Sequence, residues 1–295
     1  VFLALRLTPG DPALILLGPQ AGRPDATATL EALRKSMGLD KSWYVQYMIW
    51  LKQILHGNLG LSNRSHLPVI QLVFHALPPT AWLIGLSVFV SVPTSIFVGI
   101  WAASRRSGIV DRIVKTITTL SIAVPAVWFG LLAIIFLSVN FRLLPSGGYV
   151  SPSDNLWQFI LHIIMPVMTL AFYLTGVLTR FVYTEAADVL AQDYMRTAMA
   201  MGMRKSKRLY VYAAKNAILP MITITGVQIG ALIGGAVLTE AVFELGGIGQ
   251  LLLSSVLGRD YQIVQGAVLL TTLVVLAFGY FADILYSVLD PRISK

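Results

Sequence analysis

The chain has 295 residues, of which 56% are hydrophobic and 12% charged, and a mean hydropathy of +0.74. Soluble domains carry about 25% charged residues, so this composition excludes an ordinary soluble globule and points to a polytopic membrane protein. The formal net charge of +8 reads as cytoplasmic loop charge rather than as a nucleic-acid footprint, and the absence of cysteine excludes disulfides and thiolate metal sites.

The opening "VFLALRL" is too short to cross a bilayer, which takes about 20 apolar residues. Residues 1–7 are expected to be the end of a first membrane helix whose start is missing. A cleaved signal peptide is the other reading, and no small-residue cleavage site supports it. Residues 8–78 are too polar to span and are expected to form an extracytoplasmic helical segment. Within it, "DATATLEALRKSMG" reads as a helix, with Leu30, Leu33 and Met37 at helical spacing and Gly38 as a stop. "SWYVQYMIWLKQIL" reads as a second, whose Trp43, Tyr44, Tyr47 and Trp50 suit a membrane interface or a self-packed cap.

The remainder, 79–295, is expected to be the membrane core. Five runs are long enough to cross about 30 Å of hydrocarbon: 80–103, 113–139, 159–183, 219–243 and 263–288. With the truncated first helix the total expected is six. Pro93, Pro125 and Pro166 fall inside these runs, which fits kinked helices around a pathway or a bent bundle. Gly226, Gly230 and Gly234 recur every fourth residue, followed by Gly235. Such a stripe lets a helix backbone come close. Close packing within the bundle is one reading of the stripe; packing against a partner subunit, or lining the pathway with Gly230 and Gly234, is the other, and the two are evenly balanced.

Short-loop charge sets the orientation. The loops at 104–112 and 184–218 and the C-terminal tail are basic, whereas 140–158 and 244–262 hold one cation each, Arg142 and Arg259. Both termini are then cytoplasmic. No HExxH, nucleophile elbow or GxxxxGK[ST] pattern is present, so no catalytic residue is expected and the chain has no visible means of binding ATP. The four histidines, His56, His66, His75 and His162, lack metal-ligand spacing. Ionisable residues inside spans are functional candidates. Glu240 is the strongest candidate for a pathway residue, and Asp283 and Arg180 lie within snorkelling reach of the interface.

Between Thr184 and Pro220 there are six Lys/Arg against three acids. Leu190, Tyr194, Thr197 and Met201 share a helical stripe and Gly202 supplies a stop, so two short helices meet in a basic elbow. Such an elbow can lie on anionic membrane lipid or dock in a groove of a cytosolic partner. Physics alone leaves these two tied.

"QDYMRTAMAMG", followed by "NAILP" up to Pro220, resembles the coupling loop of ABC importer permeases, in particular the dipeptide/oligopeptide/nickel subgroup. "TPGDPA" at 8–13, "MGLDKSWYVQYMIWLKQILHGNLGLS" at 37–62, "GGAVLTEAVFELGGIGQLL" at 234–252, "RDYQIVQGAVLL" at 259–270 and "DILYSVLDPRI" at 283–293 extend the resemblance over nearly the whole chain. It implies an all-α, six-helix type I importer permease fold in a bacterial inner membrane. It implies a homologous second permease to complete a heterodimer, two cytosolic ATPases that carry ATP and Mg, and an extracytoplasmic solute-binding protein. The cargo would be peptide, with nickel chelate or glutathione as alternatives. The coupling residues it implies are Tyr194, Arg196, Thr197, Ala198, Met201 and Gly202. The literal Glu185-Ala186-Ala187 lies out of register with that motif and is a coincidence. Asn58, Gly246, Gln262, Met199 and Met201 depart from the subgroup pattern, while Glu240 and Asp283 match positions often acidic in it. A self-sufficient channel or carrier is disfavoured by the coupling-loop pattern and by the absence of internal repeats.

Overall fold

A computed structural model of the chain describes residues 2, 12–17, 26–36 and 38–289. All of the expected first membrane helix but Phe2, and most of "TPGDPA", lie outside the described residues. The helices are α1 (Pro12–Leu17), α2 (Ala26–Ser36), α3 (Trp43–Leu55), α4 (Val69–Ala103), α5 (Ile109–Ala123), α6 (Ala126–Ala133), α7 (Leu156–Ala191), α8 (Asp193–Ala200), α9 (Ala214–Phe243), α10 (Ile248–Leu257) and α11 (Tyr261–Leu289). Among the described residues, four helices are long and apolar enough to cross a membrane, and one bent pair can count as a fifth span.

Three of the expected spans differ in detail. The first full span begins at Val69 rather than Thr80, with Pro78, Pro79 and Pro93 inside the helix. The second is not one straight helix: α5 and α6 meet at 101°. The cause is Pro125. Its ring disfavours helical backbone in the residue before it, and Val124 is accordingly extended, with φ −80° and ψ 124°. Beyond the bend, α6 runs into a π-helical stretch, Ile134–Asn140. The third difference is Pro220, which lies inside α9. The helical path leading to it starts at Lys205 and includes a second π-helical stretch, Arg208–Ala213.

The chain divides into two compact units, Val1–Leu77 with Leu251–Thr271, and Pro78–Gln250 with Thr272–Lys295. In the first, Asp260 is buried and gathers a loop around its carboxylate. Ser62 Oγ donates to Oδ2 at 2.6 Å, and the backbone N–H groups of Asn63 and Arg64 approach at 3.3 Å. The second unit holds the main core: Leu170, Leu174, Leu178 and Val182 of α7 pack with Leu83 and Ile100 of α4 and Leu232 and Ala236 of α9. Serines tie α4 to α7, as Ser87 Oγ reaches the Val167 carbonyl at 3.3 Å and Ser91 Oγ the Ala171 carbonyl at 3.1 Å. Small hydroxyl residues at a helix contact let backbones approach and bond in an apolar medium.

Candidate functional site: an exposed elbow and a buried carboxylate knot

α7 runs on past the apolar stretch to Ala191, so Glu185-Ala186-Ala187 lies within a helix and both alanines are buried in the core. Gln192, at φ −72° and ψ 151°, breaks the helix, and α8 starts at Asp193. An acid in the first turn favours a helix start. α8 closes in a two-bond backbone motif. The Met203 N–H reaches the Ala198 carbonyl at 3.1 Å and the Gly202 N–H reaches the Met199 carbonyl at 3.0 Å, with Gly202 at φ +78°. This is a Schellman closure, which needs a left-handed residue where Gly202 stands.

The break at Gln192 resets the phase of the helix, so Leu190 does not share a face with Tyr194 and Thr197. Met195 is the inward anchor, 3% exposed, in the same cluster as Ala186, Leu209 and Ala213. Tyr194, Arg196, Thr197, Met199, Met201 and Gly202 are exposed and Ala198 is half-buried. Sequence reasoning missed Met195 as anchor and Met199 as part of the outward face. The first-turn acid Asp193 is the signal that could have located the break. Arg196 sits 3.4 Å from Asp193, with both side chains in solvent. A pair of that kind contributes little to stability.

Glu240 lies at the other extreme, 0% exposed near the end of α9. Thr80 Oγ1 donates to its Oε1 at 2.6 Å, and the N–H groups of Gly249 and Gln250 donate to its Oε2 at 2.7 and 3.1 Å. Thr80 Oγ1 in turn accepts the Ile248 N–H at 2.8 Å. One carboxylate and one hydroxyl therefore satisfy three of the free N–H groups that open α10. The local sequence makes room for this. Glu244 and Gly246 both take left-handed backbone, at φ +51° and +69°. A Cβ on Gly247 would collide with the Glu240 carboxyl, and one on Gly249 with the Val237 backbone. Proline, with φ fixed near −65°, could not take the backbone that Gly246 has here.

Residues 95–295 match the family described as binding-protein-dependent transport system inner membrane component, and residues 1–84 match the N-terminal part of such membrane components. The chain belongs to this family. It is a permease of the ABC importer class, multi-pass in a bacterial inner membrane. It is similar to the probable peptide ABC transporter permease protein y4tP of Sinorhizobium fredii, at 36% identity over 99% of this chain and 92% of the relative. The oligopeptide transport system permease protein AppB of Bacillus subtilis is 35% identical, and the glutathione transport system permease protein GsiC of Pectobacterium atrosepticum is 38% identical. Both matches cover 99% of this chain and 92% of the relative. The fold is similar to that in a solved structure described as inward facing conformations of the MetNI methionine ABC transporter. That likeness has a TM-score of 0.63 at 16% identity and covers 75% of this chain and 97% of that one.

The other candidate residues of the permease are dispersed. A Cβ on Gly226 would press on Ala282, and one on Gly230 would sit 3.4 Å from Val275, so both glycines face α11. Gly234 is exposed, with nothing within 4 Å of its Cβ position. The side chain of Asp283 lies outside the described residues.

Proposed function

We propose that this permease is one of two homologous membrane subunits of an ATP-driven importer of di- and oligopeptides. The observation that carries this reading is the 36% identity to a peptide permease across 99% of the chain. In the assembly, an extracytoplasmic solute-binding protein delivers the peptide, and the two permeases enclose its path. Two cytosolic ATPases, which bind ATP and Mg, drive the change of access. Both termini face the cytoplasm, as the basic loops at 104–112 and 184–218 support.

The elbow transmits the motion. Tyr194, Arg196, Thr197, Met201 and Gly202 meet the ATPase through their exposed side, with Ala198 beneath them, and Met195 fixes α8 to the permease core. An amphipathic helix laid in a partner's groove is a recurrent docking mode. Gly234, with open space before it, is the better candidate of the two glycines to face the pathway. Gly230 contributes by close packing, and Glu240 by fixing α10 rather than by touching cargo.

The test is uptake by proteoliposomes holding the whole importer, with its binding protein outside and ATP inside. Labelled di- and tripeptides should accumulate only with ATP and binding protein together. Accumulation by this chain alone, without ATP, would make it a channel or carrier and sink the reading. The relative described as a glutathione permease, 38% identical, favours glutathione as the second cargo to assay.

A further inference from the structure

α5 and α7 cross in tight contact where Gly176 meets Ser121 Oγ and the Thr118 carbonyl. On the side of that crossing toward the basic end of both helices lies a cleft of about 330 Å³, lined by Lys115, Thr119, Thr179, Arg180 and Tyr183 among others. Thr179 is 1% exposed, and its Oγ1 has no hydrogen-bond partner. A buried hydroxyl left unpaired is costly, and this one borders the cleft. The hydroxyls of Thr118 and Thr184, on the same walls, are already donated to the carbonyls of Lys115 and Arg180.

Charge narrows the ligand. Lys115 Nζ pairs with the buried Asp111 carboxylate at 3.0 Å and lies 4.9 Å from the centre of the Tyr183 ring. Among the described residues Arg180 has no carboxylate within salt-bridge distance. One acid against two cations leaves a single positive charge, which matches a singly charged oxyanion better than a dianion. The cleft lies between α5 and α7, and both helices belong to elements long and apolar enough to cross a membrane.

We infer that this cleft, at the end of two membrane-spanning elements, holds the phosphodiester of a membrane phospholipid, with Arg180, Lys115 and the Thr179 hydroxyl as donors. None of the residues named as ATPase-coupling lines the cleft. Phosphatidylglycerol, whose headgroup adds no second cation, should be preferred to phosphatidylcholine, whose trimethylammonium would face Arg180.

The probe is lipid retention by the assembled importer in detergent, followed by native mass spectrometry after exposure to equal phosphatidylglycerol and phosphatidylcholine. The wild type should keep phosphatidylglycerol selectively. Each of Lys115→Gln and Arg180→Gln should cut retention about five-fold, the size of one basic residue's attraction at a membrane surface. Thr179→Val, which keeps the shape and removes the hydroxyl, should also weaken it, and Thr179→Ser should restore it. These two variants guard against a folding artefact of charge removal. Equal retention of both lipids, or unchanged retention in Arg180→Gln, would overturn the site. Release of bound lipid by millimolar inorganic phosphate from the wild type alone would assign the cleft to a soluble oxyanion and overturn the lipid.

Discussion

The permease closes two helix ends by opposite means. α8 ends in solvent, and its closure is made by backbone alone, around a glycine whose side carries nothing. α10 begins in the interior, and its closure is made by side chains, one from Glu240 near the end of the preceding helix and one from Thr80, far away in sequence. The difference follows from the surroundings. Water can satisfy whatever an exposed end leaves open, whereas a buried N–H without a partner costs about 1–3 kcal/mol. An exposed end is therefore free to serve a partner, and a buried end has to be completed within the chain.

The contrast breaks most visibly at Glu240. Glu240→Leu strands two buried N–H groups and removes one acceptor of the Thr80 hydroxyl, and the loss should reach at least ~2 kcal/mol. The expected result is little folded permease in membranes and a lower melting temperature in detergent. Wild-type melting would show that the knot is ornamental. Gly247→Ala comes next, because its Cβ meets the Glu240 carboxyl. Overpacking of this kind costs about 1–3 kcal/mol. Gly234→Ala, with open space before it, serves as the control and should not destabilise.

Gly202→Val should behave differently. Left-handed backbone costs a branched residue about 1–2 kcal/mol, but the strain falls on an exposed turn. The core should melt as before while ATP hydrolysis and peptide uptake lose their coupling, and Gly202→Asn should retain most of it. Unchanged coupling in the valine variant would remove the elbow geometry from the mechanism. The smallest effect is expected at Arg196→Ala. Its ion pair with Asp193 is solvent-exposed, so thermal stability should stay the same, and any change should be confined to ATPase coupling.

Much of this was legible in the sequence, for identifiable reasons. Apolar runs report membrane helices because the bilayer demands them, and Gly202 reports the end of α8 because only a left-handed residue closes it that way. Pro125 was visible, yet a kinked span and a 101° break between two helices share the same letters. The π-helical stretches at 134–140 and 208–213 left no mark, because six or seven residues are too few for the sequence pattern to separate the two helical periods. Glu240 stood out as an ionisable residue in a span. Its role did not, because Thr80 stands 160 positions away and nothing local announces their meeting. The stripe drawn through Leu190 failed for a smaller reason: a single extended residue, Gln192, rotates everything after it.

α7 is 36 residues long. At about 1.5 Å per residue its path is roughly 54 Å, against a hydrocarbon thickness of about 30 Å. α8 hangs from the far end of that rod, fastened at Met195. A tilt of roughly 10° about the opposite end would sweep α8 through ~9 Å. In the proposed mechanism α7 serves as a crank, whose long arm would convert small rotations in the bilayer into strokes outside it.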